Sequence, residues 1–254
     1  MTEKIKLFIL LFFGMIQNIT IFSQPADLSA DRPGFSTGTH AVTPGRVYFE
    51  TGYQYTFSHE YNLSGSSQIP VMNVRIGIAD KAELFLMWDG IEVSHISQAA
   101  GIPGKTGISL PGIGSKYRLI QSDEYNFTLI GTVESSVENN SFSVDPAIAL
   151  AWDYSLSERF ELFGIGQAGY ETIPEISSLS TAIAVGIGFS ITDRLNVFTE
   201  YYNVGYPGAG KLFNGSEFGI IYLLTPGIQI DLYGGLRLTG ETDNYAGVGI
   251  SQRF

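Results

Sequence analysis

The sequence predicts an all-β protein, a transmembrane antiparallel up-and-down β-barrel of about twelve strands, with ten as the alternative count. Apolar and polar residues alternate along most of the chain, which is typical of strands with one face toward lipid and one toward an interior. Short turns and longer connections also alternate, and aromatic residues concentrate near strand ends. Because a closed barrel satisfies all strand hydrogen bonds inside a bilayer, these patterns predict architecture and location together.

The N-terminal 23 residues have the features of a signal peptide. Lys4 and Lys6 precede the apolar run 7–13, which is the order expected of an export signal. A membrane anchor is the alternative, but Asn18 ends the run well short of the roughly 20 residues a spanning helix needs. We therefore predict a signal peptide over 1–23, a segment over 24–44 that lies in the periplasm, plugs the lumen or caps the barrel, and the barrel itself over 45–254.

Composition excludes several classes of protein. The chain has no cysteine, so that lipid attachment through cysteine, disulfides and thiolate metal sites are excluded. Its formal net charge is −11, and this acidic balance argues against nucleic acid, whose phosphates need clustered Lys and Arg. Charged residues make up only 15% of the chain, fewer than the roughly 25% usual in soluble domains.

The alternating segments give the strand count. Those with a clear period of two are 47–57, 72–78, 113–119, 127–134, 144–156, 179–191, 228–238 and 245–254. Turns bracket three further segments, 83–91, 160–171 and 216–224, which carry apolar residues on both faces. One more strand lies between the turn at 192–194 and the connection at 204–215. Together they predict twelve strands.

The connections fall into two sizes that alternate along the chain. Short turns lie at 79–81, 121–124, 157–159, 192–194 and 225–227, and longer Gly/Ser/Asn-rich connections lie near 58–68, 92–107, 137–143, 172–178, 204–215 and 239–243. Outer-membrane barrels have short periplasmic turns and longer external loops. Twelve strands with both chain ends in the periplasm give five of the first kind and six of the second, as counted here.

Aromatic residues support the same orientation. They are expected at two membrane interfaces, the periplasmic one with Tyr117, Trp152, Tyr154, Tyr222 and Phe254, and the outer one with Tyr53, Tyr55, Tyr170 and Tyr201. A soluble β-sandwich could also alternate, but it would have no reason to sort aromatic residues to strand ends. The terminal Phe254 is further expected to act as the signal for barrel assembly.

The polar strand faces provide the candidate functional residues. The alternation predicts that ten charged residues line the lumen: Glu50, Arg75, Lys116, Arg118, Glu134, Asp145, Asp153, Glu200, Asp231 and Arg237. They could select or orient a solute in a pore, or they could pair with one another and plug the interior. The lumen face of 180–190 is Ser, Ala and Gly only, which leaves room for long charged side chains or for water and a solute.

No catalytic or metal constellation is evident. The three histidines, His40, His59 and His95, are placed by the pattern before the first strand or in outer loops, and adjacency to serine is not triad geometry. There is no phosphate-binding Gly-rich loop. The aspartates lie on separate turns. We therefore expect neither an enzyme nor a cofactor, with a barrel hydrolase using His59 or His95 as the remote alternative.

Three stretches resemble a known family. These are 30–39 with 44–47 and 50–53 at the start, the Gly-x-Lys-Tyr-Arg stretch 114–118, and Glu200-Tyr201 near the end. They resemble a family of outer-membrane transporters named for the MetA (meta-cleavage) pathway of phenol degradation, over essentially the whole chain after the signal peptide. The resemblance implies an outer-membrane location in a Gram-negative bacterium and the passage of small organic molecules.

The leading hypothesis is therefore a porin-like channel or transporter for the passive passage of small molecules, including aromatic or hydrophobic ones. The alternative is a closed structural or surface-interaction barrel that works through its external loops. The expected partners are outer-membrane lipid, the barrel-assembly machinery and a small solute, but no nucleic acid. A monomer is expected because no outward polar stripe marks a subunit contact.

Overall fold

The computed structural model describes residues 28–57, 63–96, 106–138, 141–173, 176–240 and 243–254. In these residues fourteen strand segments form one sheet. The segments are β1 (Val47–Phe57), β2 (Leu63–Ala79), β3 (Ala82–Trp88), β4 (Ile91–Ile96), β5 (Thr106–Ile108), β6 (Gly112–Gln121), β7 (Tyr125–Glu138), β8 (Ser141–Ser155), β9 (Phe160–Ile173), β10 (Ile176–Thr192), β11 (Leu195–Tyr206), β12 (Lys211–Thr225), β13 (Ile228–Thr239) and β14 (Asn244–Arg253). A short 3-10 turn, Pro207–Ala209, joins β11 to β12.

The sheet closes into a barrel of twelve antiparallel strands. β1 pairs with β14 from Tyr48↔Arg253 to Phe57↔Asn244, and with β2 on its other side. The terminal Phe254 and Val47 exchange backbone hydrogen bonds of 2.8 and 3.2 Å. Because β3 continues into β4 and β5 into β6, the fourteen segments make twelve strands, with β2 pairing along its length with both β3 and β4. The predicted fold class and strand number are confirmed.

The barrel wall has an apolar outer face and a mixed inner face. Every strand around the barrel carries at least one large exposed apolar side chain, such as Ile76, Leu150 and Val248. Outward aromatic residues lie near both ends, among them Tyr117 and Tyr222 at the short-turn end and Tyr170 and Tyr201 at the long-loop end. Amphipathic rings prefer the headgroup region, which explains their position beside the apolar band.

The strands extend further than the sequence predicts. Most of β4 and of β5 lies within the predicted connection 92–107, and β10 begins at Ile176 within the predicted connection 172–178. Ser177-Ser178 at the start of β10 and Thr106-Gly107 in β5 interrupt the apolar alternation although backbone pairing continues. The long connections were therefore predicted too long. The short turns are close to their predicted places.

Inward glycines lie beneath aromatic rings from neighbouring strands. A methyl group at Gly114, Gly186 or Gly247 would overlap the ring of Phe85, Phe163 or Tyr233, respectively. The glycine provides a flat surface and the ring covers the exposed backbone, an arrangement that helps to fix the register of paired strands. Aromatic rings of the wall thus cover these three inward glycines.

We expect Gly114→Ala to lower barrel stability by about 1–3 kcal/mol, because the added methyl group displaces the Phe85 ring from a packed position. The measurement is the midpoint of urea unfolding in detergent micelles. Gly166→Ala is the matched control, since a methyl group there meets no described atom within 4 Å. Equal midpoints for the two variants would contradict this account of the glycines.

Candidate functional site

Residues 28–44 lie inside the barrel and form what we call the plug. The Leu28 N–H donates a 3.0 Å hydrogen bond to the Pro226 carbonyl, and Pro44 forms a bridge with Gly77. Pro226 is in a short turn, and Gly77 lies near another at the end of β2. The plug therefore enters and leaves at the short-turn end, and its middle reaches into the lumen.

Backbone N–H groups of the plug donate to carboxylates on the barrel wall. The Phe35 and Ser36 N–H groups donate to Glu200 at 2.5 and 3.1 Å, and the Ser36 hydroxyl adds a 2.7 Å bond. Gly34 has φ of 140°, and a methyl group there would lie 3.1 Å from Glu200 Oε1. A glycine is therefore required where the backbone bends around this carboxylate.

Two other wall carboxylates hold the plug backbone in the same way. Glu50 accepts from the Asp31 and Arg32 N–H groups at 3.1 and 3.2 Å. Glu83 Oε2 accepts from the Val42 N–H at 2.6 Å. Since both carboxylates are almost fully buried, these donors provide much of the hydrogen bonding that the charges need away from water.

Arg75 is the centre of the charge network. Its guanidinium is fully buried and contacts Glu83 at 2.8 Å, Glu50 at 3.1 Å and Asp31 at 3.2 Å. It also donates to the carbonyl of His40 at 2.8 Å. Arg75 therefore connects β1 and β3 of the wall to the plug at two places, Asp31 and His40.

Two further cations connect the plug to the wall. Lys116 Nζ lies 2.5 Å from Asp31 Oδ1 and 2.9 Å from the Gly38 carbonyl. On the opposite side, Arg32 contacts both oxygens of Asp231 at 3.2 Å. Its guanidinium lies where methyl groups on Gly52 and Gly249 would be, and these glycines make room for it.

The tip of the plug packs on an apolar part of the lumen. The Phe35 ring stacks on Tyr202 with centroids 4.5 Å apart and planes at 5°. Phe35 also packs against the buried cluster that includes Phe85, Ile130 and Ile165. This contact explains why the strands 83–91 and 160–171 carry apolar residues on both faces.

The plug divides the interior into two cavities. One of about 600 Å³ lies toward the long loops and is lined by Phe85, Ile130 and Glu217 among others. The other, of about 410 Å³, lies toward the short turns and is lined by Asp153, Glu161 and Phe198 among others. Residues 31–33 contribute to both cavities, so the plug is the wall between them.

The sequence-predicted lumen residues fall into two groups. Those in direct contact with the plug are Glu50, Arg75, Lys116, Asp153, Glu200 and Asp231. The other four lie at inward register positions nearer the barrel ends: Arg118, Glu134, Asp145 and Arg237. Arg118 donates to Gln121, Glu134 and Asp145 face each other in register, and Arg237 is exposed at the long-loop end.

The sequence prediction missed several charged residues of the lumen, among them Glu161 and Asp89, which line the two cavities. Glu83 and Glu217 lie in the segments where both faces looked apolar, and both are buried. Asp31 and Arg32 belong to the plug, whose position the sequence left open. For Glu83 and Glu217, the signal was available as a charged residue within a strand, since such a residue facing lipid would be costly.

His40 is part of the plug and packs near Tyr48, with ring centroids 6.4 Å apart. Burial, together with the positive charges of Arg75, Arg118 and Lys116, lowers the pKa of His40 to about 4. The imidazole is therefore neutral at pH 7. His40 contacts the wall through its backbone carbonyl, which accepts the hydrogen bond from Arg75.

The remaining catalytic and metal candidates add little. His59 and the side chain of His95 lie outside what the structure describes. Within the described ranges, no group of three or more His, Asp or Glu residues could hold a metal ion. No helix in the same ranges is long and apolar enough to cross a membrane.

The closed twelve-strand barrel with an apolar outer face is of the porin-like β-barrel class, and here its lumen contains a plug. The chain belongs to the family described as "Putative MetA-pathway of phenol degradation", whose model matches residues 30–254. The resemblance noted in the sequence is thereby confirmed. No curated protein matches the sequence.

Solved structures share the fold at low sequence identity. An outer-membrane channel from Pseudomonas putida F1 aligns with a TM-score of 0.61 at 11% identity, covering 88% of this chain and 99% of that one. The KdgM porin in complex with disordered oligogalacturonate gives 0.56 at 8%, covering 82% and 99%. The NanC porin gives 0.52 at 9%, covering 81% and 98%. These alignments support the porin-like architecture.

We expect Arg75→Met to lower the free energy of unfolding by about 3–5 kcal/mol, because it removes the guanidinium that contacts the buried carboxylates of Glu50 and Glu83. Urea unfolding in micelles measures the change. Arg237→Met is the control, since Arg237 is exposed and surface changes usually stay within about 0.5 kcal/mol. A small effect at Arg75 would mean that the network does not hold the barrel interior together.

Proposed function

We propose that the protein is an outer-membrane channel for the passive passage of small molecules, aromatic or hydrophobic ones among them, and that its plug must shift for passage. The observation that carries the proposal is a cavity toward each end of the lumen, with the plug between the two. The plug contacts the wall through hydrogen bonds, ion pairs and packing, all of which can break reversibly. Family membership and the porin-like fold support the same role.

The location and partners follow from the same proposal. Residues 1–23, which lie outside the described residues, would direct export and be removed. Phe254 would provide the C-terminal signal to the assembly machinery, and its backbone pairs with Val47 where the barrel closes. Apolar side chains on all sides of the barrel favour lipid contact around the whole circumference and therefore a monomer. Nucleic acid is not a proposed partner, and the acidic balance supports this.

A reducible lock tests whether the plug gates passage. The Thr39 hydroxyl donates to the Asp153 carboxylate, so Thr39→Cys/Asp153→Cys places two thiols close together in a chain with no other cysteine. In planar bilayers we expect the oxidised double variant to fall close to the bare-bilayer current, and reduction to restore conductance. The two single variants under the same oxidising conditions are the controls.

The outcomes of this experiment separate the two functional hypotheses. Equal conductance in the oxidised and reduced states, with the cross-link verified, would show that ions pass without movement of the plug. Silence of folded wild-type protein, together with absence of solute uptake into liposomes, would favour the closed barrel that works through its external loops.

We expect open channels to prefer cations, because carboxylates outnumber cations along the lumen and fixed charges set pore selectivity. Glu134→Gln/Asp145→Asn removes two facing carboxylates near the long-loop end and should move the reversal potential under a salt gradient toward zero. Asp80→Asn, on an exposed short turn, should leave it unchanged. An unchanged reversal potential in the double variant would locate the selectivity elsewhere.

A further inference from the structure

The cavity toward the long loops has two unlike walls. Phe85, Ile130 and Ile165 form an apolar wall, and Glu217 and Tyr245 belong to the other. In the closed sheet, β7 with Ile130 lies opposite β13, the neighbour of the strands that carry Glu217 and Tyr245. A solute held between these walls would need an apolar part and a polar part. The volume of about 600 Å³ is within the usual range for small-molecule sites.

The polar wall contains a carboxylate oxygen that lacks a donor. The Glu217 residue is 2% exposed, and its Oε2 accepts a hydrogen bond from the Tyr245 hydroxyl. Its Oε1 is buried and has no hydrogen-bond partner among the described residues. Leaving a buried charged acceptor unsatisfied is costly. The site is therefore prepared to accept a hydrogen bond from a ligand.

The charge around Glu217 favours a cationic donor. Glu200 faces Glu217 in register on the adjacent strand, and its carboxylate already accepts from Phe35 and Ser36. Arg32, the cation of the plug on this side, is engaged by both oxygens of Asp231. The negative charge of Glu217 is thus poorly balanced, and buried charges are normally paired.

The aromatic surroundings fit the same ligand. The Tyr245 ring lies 6.2 Å from the Tyr233 ring at 63°. The Arg32 guanidinium already lies over Tyr233, 5.5 Å from the ring centroid, so Tyr245 is the ring left for a ligand cation, since aromatic faces attract cations within about 6 Å. We infer that Glu217 and Tyr245 form a subsite for the ammonium group of a small amphipathic amine, whose apolar part packs on the Phe85 and Ile130 wall. The inference rests on the proposed function, because such a solute reaches the cavity through the lumen.

Equilibrium binding to the purified, folded barrel in detergent micelles tests this subsite. The probes are benzylammonium at pH 7.5 and benzyl alcohol, which have the same ring and nearly the same size. We expect saturable calorimetric binding of benzylammonium at least about tenfold tighter than that of benzyl alcohol, the ratio expected of a charge-assisted hydrogen bond. Glu217→Gln should remove this preference and leave the binding of benzyl alcohol unchanged.

Two variants separate the subsite from general electrostatic attraction. Glu134→Gln lies in the same cavity on another strand, and it should keep the preference for benzylammonium. Tyr245→Phe removes the hydroxyl donor but keeps the ring and the Glu217 charge, and it should also keep the preference. Equal affinity of wild-type protein for both probes, or equal losses in the Glu217 and Glu134 variants, would overturn the inference.

The comparison of probes on wild-type protein does not depend on the folding of any variant. Conductance is measured on the same preparation in planar bilayers. Conducting protein without preference for benzylammonium would overturn the subsite and leave the channel. Preference for benzylammonium in a protein that never conducts would overturn the channel and leave the subsite.

Discussion

The hydrogen bonds between wall carboxylates and backbone N–H groups of the plug are the interaction on which the barrel interior depends. Glu50, Glu83 and Glu200 are almost fully buried, and each accepts from the backbone of residues 31–42. A carboxylate away from water needs donors. The backbone of residues 31–42 lies outside the sheet, so its N–H groups need other acceptors. The wall carboxylates and the N–H groups of the plug therefore satisfy each other's hydrogen bonding.

The plug charges give this arrangement its position along the barrel axis. Arg75 and Lys116 meet Asp31 on one side of the lumen, and Arg32 meets Asp231 on the other. Buried ion pairs are weak evidence for net stability, but removal of one partner is costly. The ion pairs therefore fix one position of the plug in the lumen more than they raise the free energy of unfolding of the barrel. An element held this way can be both well positioned and displaceable.

The sequence predicted the wall better than the plug, for a physical reason. Strand periodicity depends on lipid outside and a polar interior inside, and alternation alone put Glu50, Arg75 and Glu200 among the residues expected to face the lumen. Glu83 and Glu217 were missed because their strands also carry inward apolar residues such as Phe85. Phe85 belongs to the cluster on which Phe35 of the plug packs, and Leu223 packs on the cluster with Leu28 and Val42. Residues 28–44 have no periodicity that would place them in these contacts.

The width of the lumen is set by pairs of small and large residues. Small residues on the inner wall would leave a pore if nothing covered them, but rings of Phe85, Phe163 and Tyr233 lie over Gly114, Gly186 and Gly247. Arg32 of the plug covers Gly52 and Gly249 in the same way. A twelve-strand barrel is intermediate between filled and open barrels, and here the wall rings narrow the lumen and the plug fills its middle. The plug lies between the two cavities and contributes residues 31–33 to both, so movement of the plug is the step that would join them.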